Sequence, residues 1–270
     1  MGVRKLLLIV SSLIILLVLL THSSEHSVDN SAMREFLESQ YVPEVGLLRA
    51  SITSYPDNET IWLANDNVLA ERALRLLGSP LWRNVSEALR RYNISYNGRI
   101  DPLLGKPLNE FFCPEVITIG NVYSKKFNTT LLLKLERANE SCRMDDWQEY
   151  ADLLAYGALS DLLVGNETGA FTMYLRLLKM WDGYGFRDKA FSGVYQTYKC
   201  ALFIYLYKSL GMPKEGRHVY GACIQIISEL QADNGGIITG YRVVDGNVVP
   251  VGDANTETTS IVAISLLGDR

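Results

Sequence analysis

The chain has 270 residues, 48% hydrophobic and 21% charged, with four cysteines and a formal net charge of −4. That is too apolar for a disordered chain, and the length allows about one to two domains. With 26 basic against 30 acidic residues and no Lys/Arg cluster, nothing is suited to nucleic-acid phosphates, and no nucleic-acid partner is expected. The cysteines form no C-x-x-C pair and His22, His26 and His218 are scattered, which argues against a zinc ribbon.

Leu6 to Leu20 is an apolar run of fifteen residues, broken only by Ser11 and Ser12, behind Arg4 and Lys5. It is long for a signal-peptide core and short of the roughly 20 residues of a comfortable span, so residues 1–22 read as a signal peptide or an N-terminal membrane anchor. Either places the basic pair on the cytoplasmic side and the remaining chain outside, anchored or secreted. Residues 23–31 are polar and read as a stalk, and 32–270 as a single extracytoplasmic domain. Fifteen Asn and 33 Ser plus Thr would give about two N-x-[ST] triplets by chance, whereas six occur, at Asn58, Asn84, Asn93, Asn128, Asn139 and Asn166. Together with the leader they predict N-glycosylation.

From Ile61 onward the apolar spacing is helical. Ile61–Leu77, Leu81–Tyr92, Asp145–Val164, Glu167–Trp181, Val194–Leu210, Pro213–Leu230 and Glu257–Leu267 are predicted helices, several closed by Gly78, Gly165, Gly211 or Gly268. Short links at Gly165-Asn166 and Gly211-Met212 imply antiparallel neighbours. Glu115–Tyr123 and Thr129–Leu135 are β-branched and partly alternating, which predicts an inserted β-hairpin near 115–135. Cys113 and Cys142 flank that hairpin, and Cys200 and Cys223 sit at matching distances from the Gly211-Met212 turn. These two bridges are the expected pairings, although four cysteines allow three connectivities and free thiols.

Trp181-Asp182-Gly183-Tyr184-Gly185-Phe186-Arg187-Asp188 precedes one helix, and Gln231-Ala232-Asp233-Asn234-Gly235-Gly236-Ile237 with Gly252-Asp253-Ala254-Asn255-Thr256-Glu257-Thr258-Thr259 precedes another. This rhythm of Gly-rich turns ahead of alternate helices resembles the α/α toroid architecture of carbohydrate-active enzymes, terpene cyclases and protein prenyltransferases. The resemblance implies a mainly α fold of antiparallel helical hairpins in a full or partial toroid over about residues 55–268. No D-x-D-D motif and no Asp/Cys/His zinc set occur, so cyclase and prenyl-transfer chemistry have no support, and no metal or cofactor is expected.

The loops before Val194 and Glu257 would then lie at one end of the bundle, with Asn65-Asp66-Asn67 joining them. Asp66, Asp188 and Glu257 are the candidate acid and base residues. Trp62, Asn67, Asp182, Tyr184, Tyr195, Tyr241, Asp253 and Asn255 are candidate substrate-binding residues, with Trp181, Phe186 and Tyr198 among the nearby aromatics. Carboxyls beside aromatic rings suit a sugar, because rings cover the apolar faces of pyranoses and two carboxyls flank the glycosidic oxygen. The same acids at helix starts and before glycines also fit capping and turn roles. The Phe203–Tyr207 run reads as core. The expected function is binding of a glycan at the loop end, with hydrolysis as the reaction its acids would support. The alternative is a non-catalytic, membrane-tethered surface glycoprotein that binds a peptide, a glycan or an envelope partner. Oligomeric state is left open.

Overall fold

The computed structural model describes residues 27–94 and 98–268. The leader with Arg4 and Lys5, the start of the expected stalk, and Ser95 of the Asn93 triplet lie outside the described residues. Among those described, no helix is long and apolar enough to cross a membrane.

Asp29 accepts hydrogen bonds from the amides of Ser31 and Ala32 and so starts the first helix, α1 (Asn30–Ser39). A short hairpin follows, β1 (Tyr41–Val42) with β2 (Leu47–Leu48), then β3 (Thr60–Trp62) and the helices α2 (Asp66–Leu76) and α3 (Trp82–Arg91). A 3₁₀ turn at Asp101–Leu104 leads into two long antiparallel strands, β4 (Phe112–Ser124) and β5 (Thr129–Arg143). Next come α4 (Ala151–Leu163), α5 (Glu167–Leu178), β6 (Tyr195–Gln196), α6 (Thr197–Ser209) and α7 (Arg217–Glu229). The hairpin β7 (Ile238–Val244) and β8 (Asn247–Ala254) and the last helix, α8 (Thr256–Leu267), complete the chain.

Burial sorts the helices into two kinds. In α6 every residue from Lys199 to Tyr207 is buried, in α4 every residue from Leu153 to Ser160, and in α8 every residue from Thr258 to Ser265. A helix apolar on all sides must be covered on all sides. These three helices and α2 form the central row, in which α2 packs on α8, α8 on α6 and α6 on α4. The remaining helices bury one stripe each, such as Val219, Cys223, Ile226 and Ile227 of α7, and cover the row from outside: α3 on α2, α1 on α8, α7 on α6 and α5 on α4. The turns that reverse the chain from a central helix to its partner contain Gly78, Gly165 and Gly211, all at positive φ, where a side chain would be strained.

The mainly α toroid is corrected by the three sheets. The described residues are 44% helical and 24% strand, a mixed α/β fold. The expected small insertion at 115–135 is a pair of strands spanning 112–143, and β5 also takes β3 alongside in parallel, with Ile61 opposite Leu133 and Trp62 opposite Lys134. Pairing with β5 overrides the helical spacing at residues 61–62, so the helix there begins only at Asp66. In the third sheet, β6-β7-β8, β6 takes the first turn of the predicted 194–210 helix, and the strands β7 and β8 occupy a stretch expected to be loop. Their turn is Asp245-Gly246, both at positive φ (52° and 80°), the two-residue type I′ geometry whose twist matches a hairpin.

Both expected disulfides are present, Cys113–Cys142 across the β4-β5 base and Cys200–Cys223 between α6 and α7, with Cα–Cα distances of 5.4 and 5.1 Å. Bridges of this kind fit an oxidising, extracytoplasmic compartment. The second clamps an outer helix onto the central row across a 23-residue separation. Replacing both Cys200 and Cys223 by Ser is expected to lower stability by about 2–4 kcal/mol in equilibrium denaturation.

Candidate functional site

The first turns of all four central helices meet. Asp66 is the first residue of α2, while Asp152, Tyr198 and Glu257 are each the second residue of α4, α6 and α8. Asn255 caps α8 by accepting from the Thr258 amide at 2.8 Å, which sets Glu257 in place. Asn65 reaches across instead of capping its own helix, and its Nδ2 donates to Glu257 Oε1 at 2.8 Å, joining the starts of α2 and α8. The Tyr198 hydroxyl lies 3.2 Å from Asp152 Oδ2 and 3.0 Å from Gln196 Oε1, so its single proton serves one of them at a time. From the sheet side, Glu136 of β5 pairs with Arg99, Nη2 to Oε1 at 2.8 Å.

Acids so placed gain from the positive ends of the helices. Burial acts the other way, and it dominates. Asp66 is only 3% exposed. Burial first, then the charges of Glu257, Asp57 and Glu136, hold its carboxyl well above the usual range, so that it keeps a proton that a free aspartic acid would lose. Burial also raises Glu257 above the usual range, and the Asn65 hydrogen bond and the Arg99 charge offset it only in part. Burial, then Asp152 and Glu257, push the Tyr156 and Tyr198 phenols up. Burial works against the charge on Arg99, yet Glu136 and Glu257 keep it firmly protonated. Both carboxyls are raised, but only Glu257 has a hydrogen-bond donor and a cation that partly offset its burial.

Of the sequence-derived candidates, Asp66 and Glu257 belong to this cluster. Trp62 borders it: its Nε1 donates to Asp57 at 3.4 Å, and Lys134 Nζ lies 5.1 Å from its ring centre. Asp188 is engaged elsewhere. Its Oδ2 pairs with Lys199 Nζ at 2.6 Å and accepts from the Ala151 amide at 2.8 Å, with both side chains almost fully buried (0% and 4% exposed). It therefore caps α4 from a distant loop, whereas Asp145 and Asp146, at the start of the predicted 145–164 helix, precede the observed start. Asn67 is buried and bonds both the amide and the carbonyl of Leu48 and the carbonyl of Trp62, fastening β2 to α2. Asp182 organises its own loop, accepting from the amides of Tyr184 and Gly185 and from the Tyr195 hydroxyl at 2.6 Å. Burial and that bond push the Tyr195 phenol up to about 12. Tyr195 and Tyr241 are buried and stacked on each other, and Tyr241 donates to the Tyr184 carbonyl. Burial alone would raise Asp253, but the amides of Ile52, Thr53 and Ser54 and the Thr53 hydroxyl hold it below the usual range and tie the 52–54 segment to β8.

Arg99, Glu136, Asp152 and Tyr156 complete the cluster without having been singled out in the sequence. The signal available for Asp152 is its register: like Glu257, it is an acid one residue inside an otherwise apolar helix. Arg99 and Glu136 come from a loop and a strand, and no sequence spacing connects them to a helix start. Among the described residues no His/Cys/Asp/Glu group has the arrangement of a metal site. A cavity of about 10 Å³ adjoins Arg99 and Glu136, room for a single water. Two larger hollows lie away from the cluster. One of about 560 Å³ is lined by Leu162, Phe171 and Leu210 at the far ends of α4 and α6; the other, about 400 Å³, lies between Tyr184, Gln225 and Asn247. No protein-family model matches the chain, and no curated protein is similar to it in sequence.

The raised Asp66 carboxyl has a stability signature. The native state holds its proton while the unfolded chain releases it near pH 4, so its contribution is intact below about pH 4 and is lost as pH rises through the raised native value. Asp66→Asn removes that loss. The variant is expected to match the wild type in thermal midpoint at pH 4 and to exceed it by a few degrees, roughly 2–4 °C per kcal/mol, at pH 8.

Proposed function

We propose that the protein is an extracytoplasmic hydrolase of glycans, with Asp66 as the general acid and Glu257 as the general base. The observation that carries this reading is the meeting of the buried Asp66 carboxyl and the half-buried Glu257 at adjacent helix starts, Asp66 in surroundings that keep it neutral and Glu257 with Asn65 and Arg99 partly offsetting its burial. In the proposed reaction Glu257 takes a proton from water as its oxygen bonds to the anomeric carbon. The glycosidic C–O bond breaks, and Asp66 passes its proton to the leaving oxygen. Trp62 at the border of the cluster supplies a ring for a sugar face.

Turnover of a panel of oligosaccharides by the full chain in detergent is the test. The expected result is cleavage with a bell-shaped pH dependence, and a loss of about 10²–10⁴ in rate for both Asp66→Asn and Glu257→Gln with unchanged circular dichroism. If no member of the panel is cleaved, or Glu257→Gln equals the wild type, the catalytic reading is replaced by the non-catalytic glycoprotein.

The two disulfides, the apolar 6–20 leader and the six sequons together support an exported glycoprotein held at, or released from, a membrane. Asn84, Asn93, Asn128 and Asn166 are exposed; Asn139 is half-buried, with its Oδ1 accepting from the Ser141 amide and hydroxyl. Asn58 is half-buried, and its Oδ1 is enclosed without a hydrogen-bond partner. Peptide mass spectrometry of protein from its native host is expected to find hexose-containing additions on the four exposed asparagines and none on Asn58. Unmodified peptides throughout 58–166 would remove the glycoprotein reading.

A further inference from the structure

The strand β4 is the outer member of its sheet, so the backbone groups along one side of Phe112–Ser124 face away from β5. Such an edge invites pairing with another chain, and proteins blunt it with charge, proline, bulges or a cover. The one charged residue of β4, Glu115, is tied to Arg137 at 2.9 Å, and Pro114 and the bulge between Thr118 and Gly120 disturb the part of the strand away from the turn. Toward the turn the strand has none of these devices, although Ile119 and Tyr123 are 45% and 54% exposed. What stands there is the Asn128-Thr129-Thr130 triplet. Tyr123 lies opposite Thr130 across the ladder, and its hydroxyl donates to Asn128 Oδ1 at 2.6 Å. The turn that carries Asn128 is fastened to the body of the protein. Lys126 Nζ donates to the Ser39 and Tyr41 carbonyls at 2.7 and 2.9 Å, the Lys125 amide donates to Glu44 at 3.0 Å, and the Arg49 guanidinium lies 3.7 Å from the centre of the Phe127 ring.

We infer that a glycan on Asn128 lies against the Tyr123 ring and shields the turn end of the β4 edge from pairing with another strand; this rests on the glycoprotein reading above. In its attachment Asn128 Nδ2 loses a proton and bonds to the anomeric carbon of a glycosyl pyrophosphate donor, whose C–O bond breaks as the pyrophosphate leaves with the electron pair. The product is a secondary amide, planar and trans like a peptide bond. Trans geometry places the first sugar on the same side as Oδ1, and that is the side where the Tyr123 hydroxyl stands. Oδ1 remains an acceptor, so the hydrogen bond that orients the asparagine survives the modification. A pyranose held there has an exposed aromatic ring beside it, onto which its apolar C–H face can pack. Asn166 differs: its side chain is spent on the Asp161 carboxylate and on the Gly169 amide at the start of α5.

The test compares the full chain made with and without N-glycosylation, both forms with their disulfides closed. Peptide mass spectrometry of the glycosylated form is expected to find sugar on Asn128. Tyr123→Ala is then expected to raise the unfolding equilibrium constant at least about 3-fold more in the glycosylated form than in the bare one, and for Tyr123→Phe, which keeps the ring, the extra cost should stay within about 2-fold. A measurement that needs no variant is amide exchange over residues 121–130, which should be at least about 3-fold slower in the glycosylated wild type. In sedimentation velocity Asn128→Gln is expected to self-associate more than the wild type, whereas Asn84→Gln, which removes an exposed triplet elsewhere, should match it. An unmodified Asn128 among modified triplets, an equal cost of Tyr123→Ala in both forms, unchanged exchange over 121–130, or equal self-association of the two Gln variants overturns this inference and leaves the glycoprotein reading standing. Bare asparagines throughout 58–166 sink the glycoprotein reading and this one with it.

Discussion

A helix such as α6, in which nine consecutive residues from Lys199 to Tyr207 are buried, can exist only where other elements cover it on every side. The same holds for α4 and α8, so three helices without a solvent face must lie against one another and be wrapped by helices that each have one apolar stripe. That constraint orders the molecule. It assigns α1, α3, α5 and α7 to the outside, demands tight reversals at Gly78, Gly165 and Gly211, and leaves the ends of the central helices as the places where side chains with chemistry can gather.

What gathers there is costly for the fold. Asp66 is enclosed beside Glu257, Asp57 and Glu136, with one guanidinium, Arg99, among them. Buried carboxyls without matching cations weaken a native state, and a protein selected for stability alone would replace them with apolar residues of similar size. By contrast, the Asp188–Lys199 pair is matched and further satisfied by the Ala151 amide, and it pins a distant loop to the starts of α4 and α6. The two groups of charges lie one residue apart on those helices, at Ala151 and Asp152 and at Tyr198 and Lys199. One fixes the helix starts in position. The other gathers acids and phenols that burial pushes up, as groups at functional sites often are.

The helices were legible because their apolar spacing is local, and most observed boundaries fall within a few residues of those the pattern implies. The misplaced starts share one cause. Residues 61–62 are drawn into β3 by β5, and Tyr195-Gln196 into β6 by β7, in each case by a strand more than 40 residues away. At α4 the obvious acids, Asp145 and Asp146, lie ahead of a 3₁₀ turn, and the cap comes instead from Asp188. The β7-β8 hairpin did carry a local signal in Asp245-Gly246 between apolar pairs, so that sheet was within reach of the sequence. The toroid resemblance failed because it weighed the helix rhythm and took the segments between helices as loops.

By itself the sequence determined the apolar 6–20 run and the six N-x-[ST] triplets, the helical segments, the two cysteine pairs, and Asp66 and Glu257 as acids at helix starts. Each depends on spacing along the chain, which survives without knowledge of what packs where. Only the tertiary structure decided that β-sheets adjoin the helix starts, that Asp188, Asn67, Asp182 and Asp253 serve the scaffold, and that Arg99, Glu136, Asp152 and Tyr156 stand with Asp66 and Glu257. The physical reason is that burial and charge are set by neighbours from other elements: an aspartate within one turn of a helix start is a cap in water, and becomes a proton-holding acid only when acids from another helix, a strand and a turn close around it.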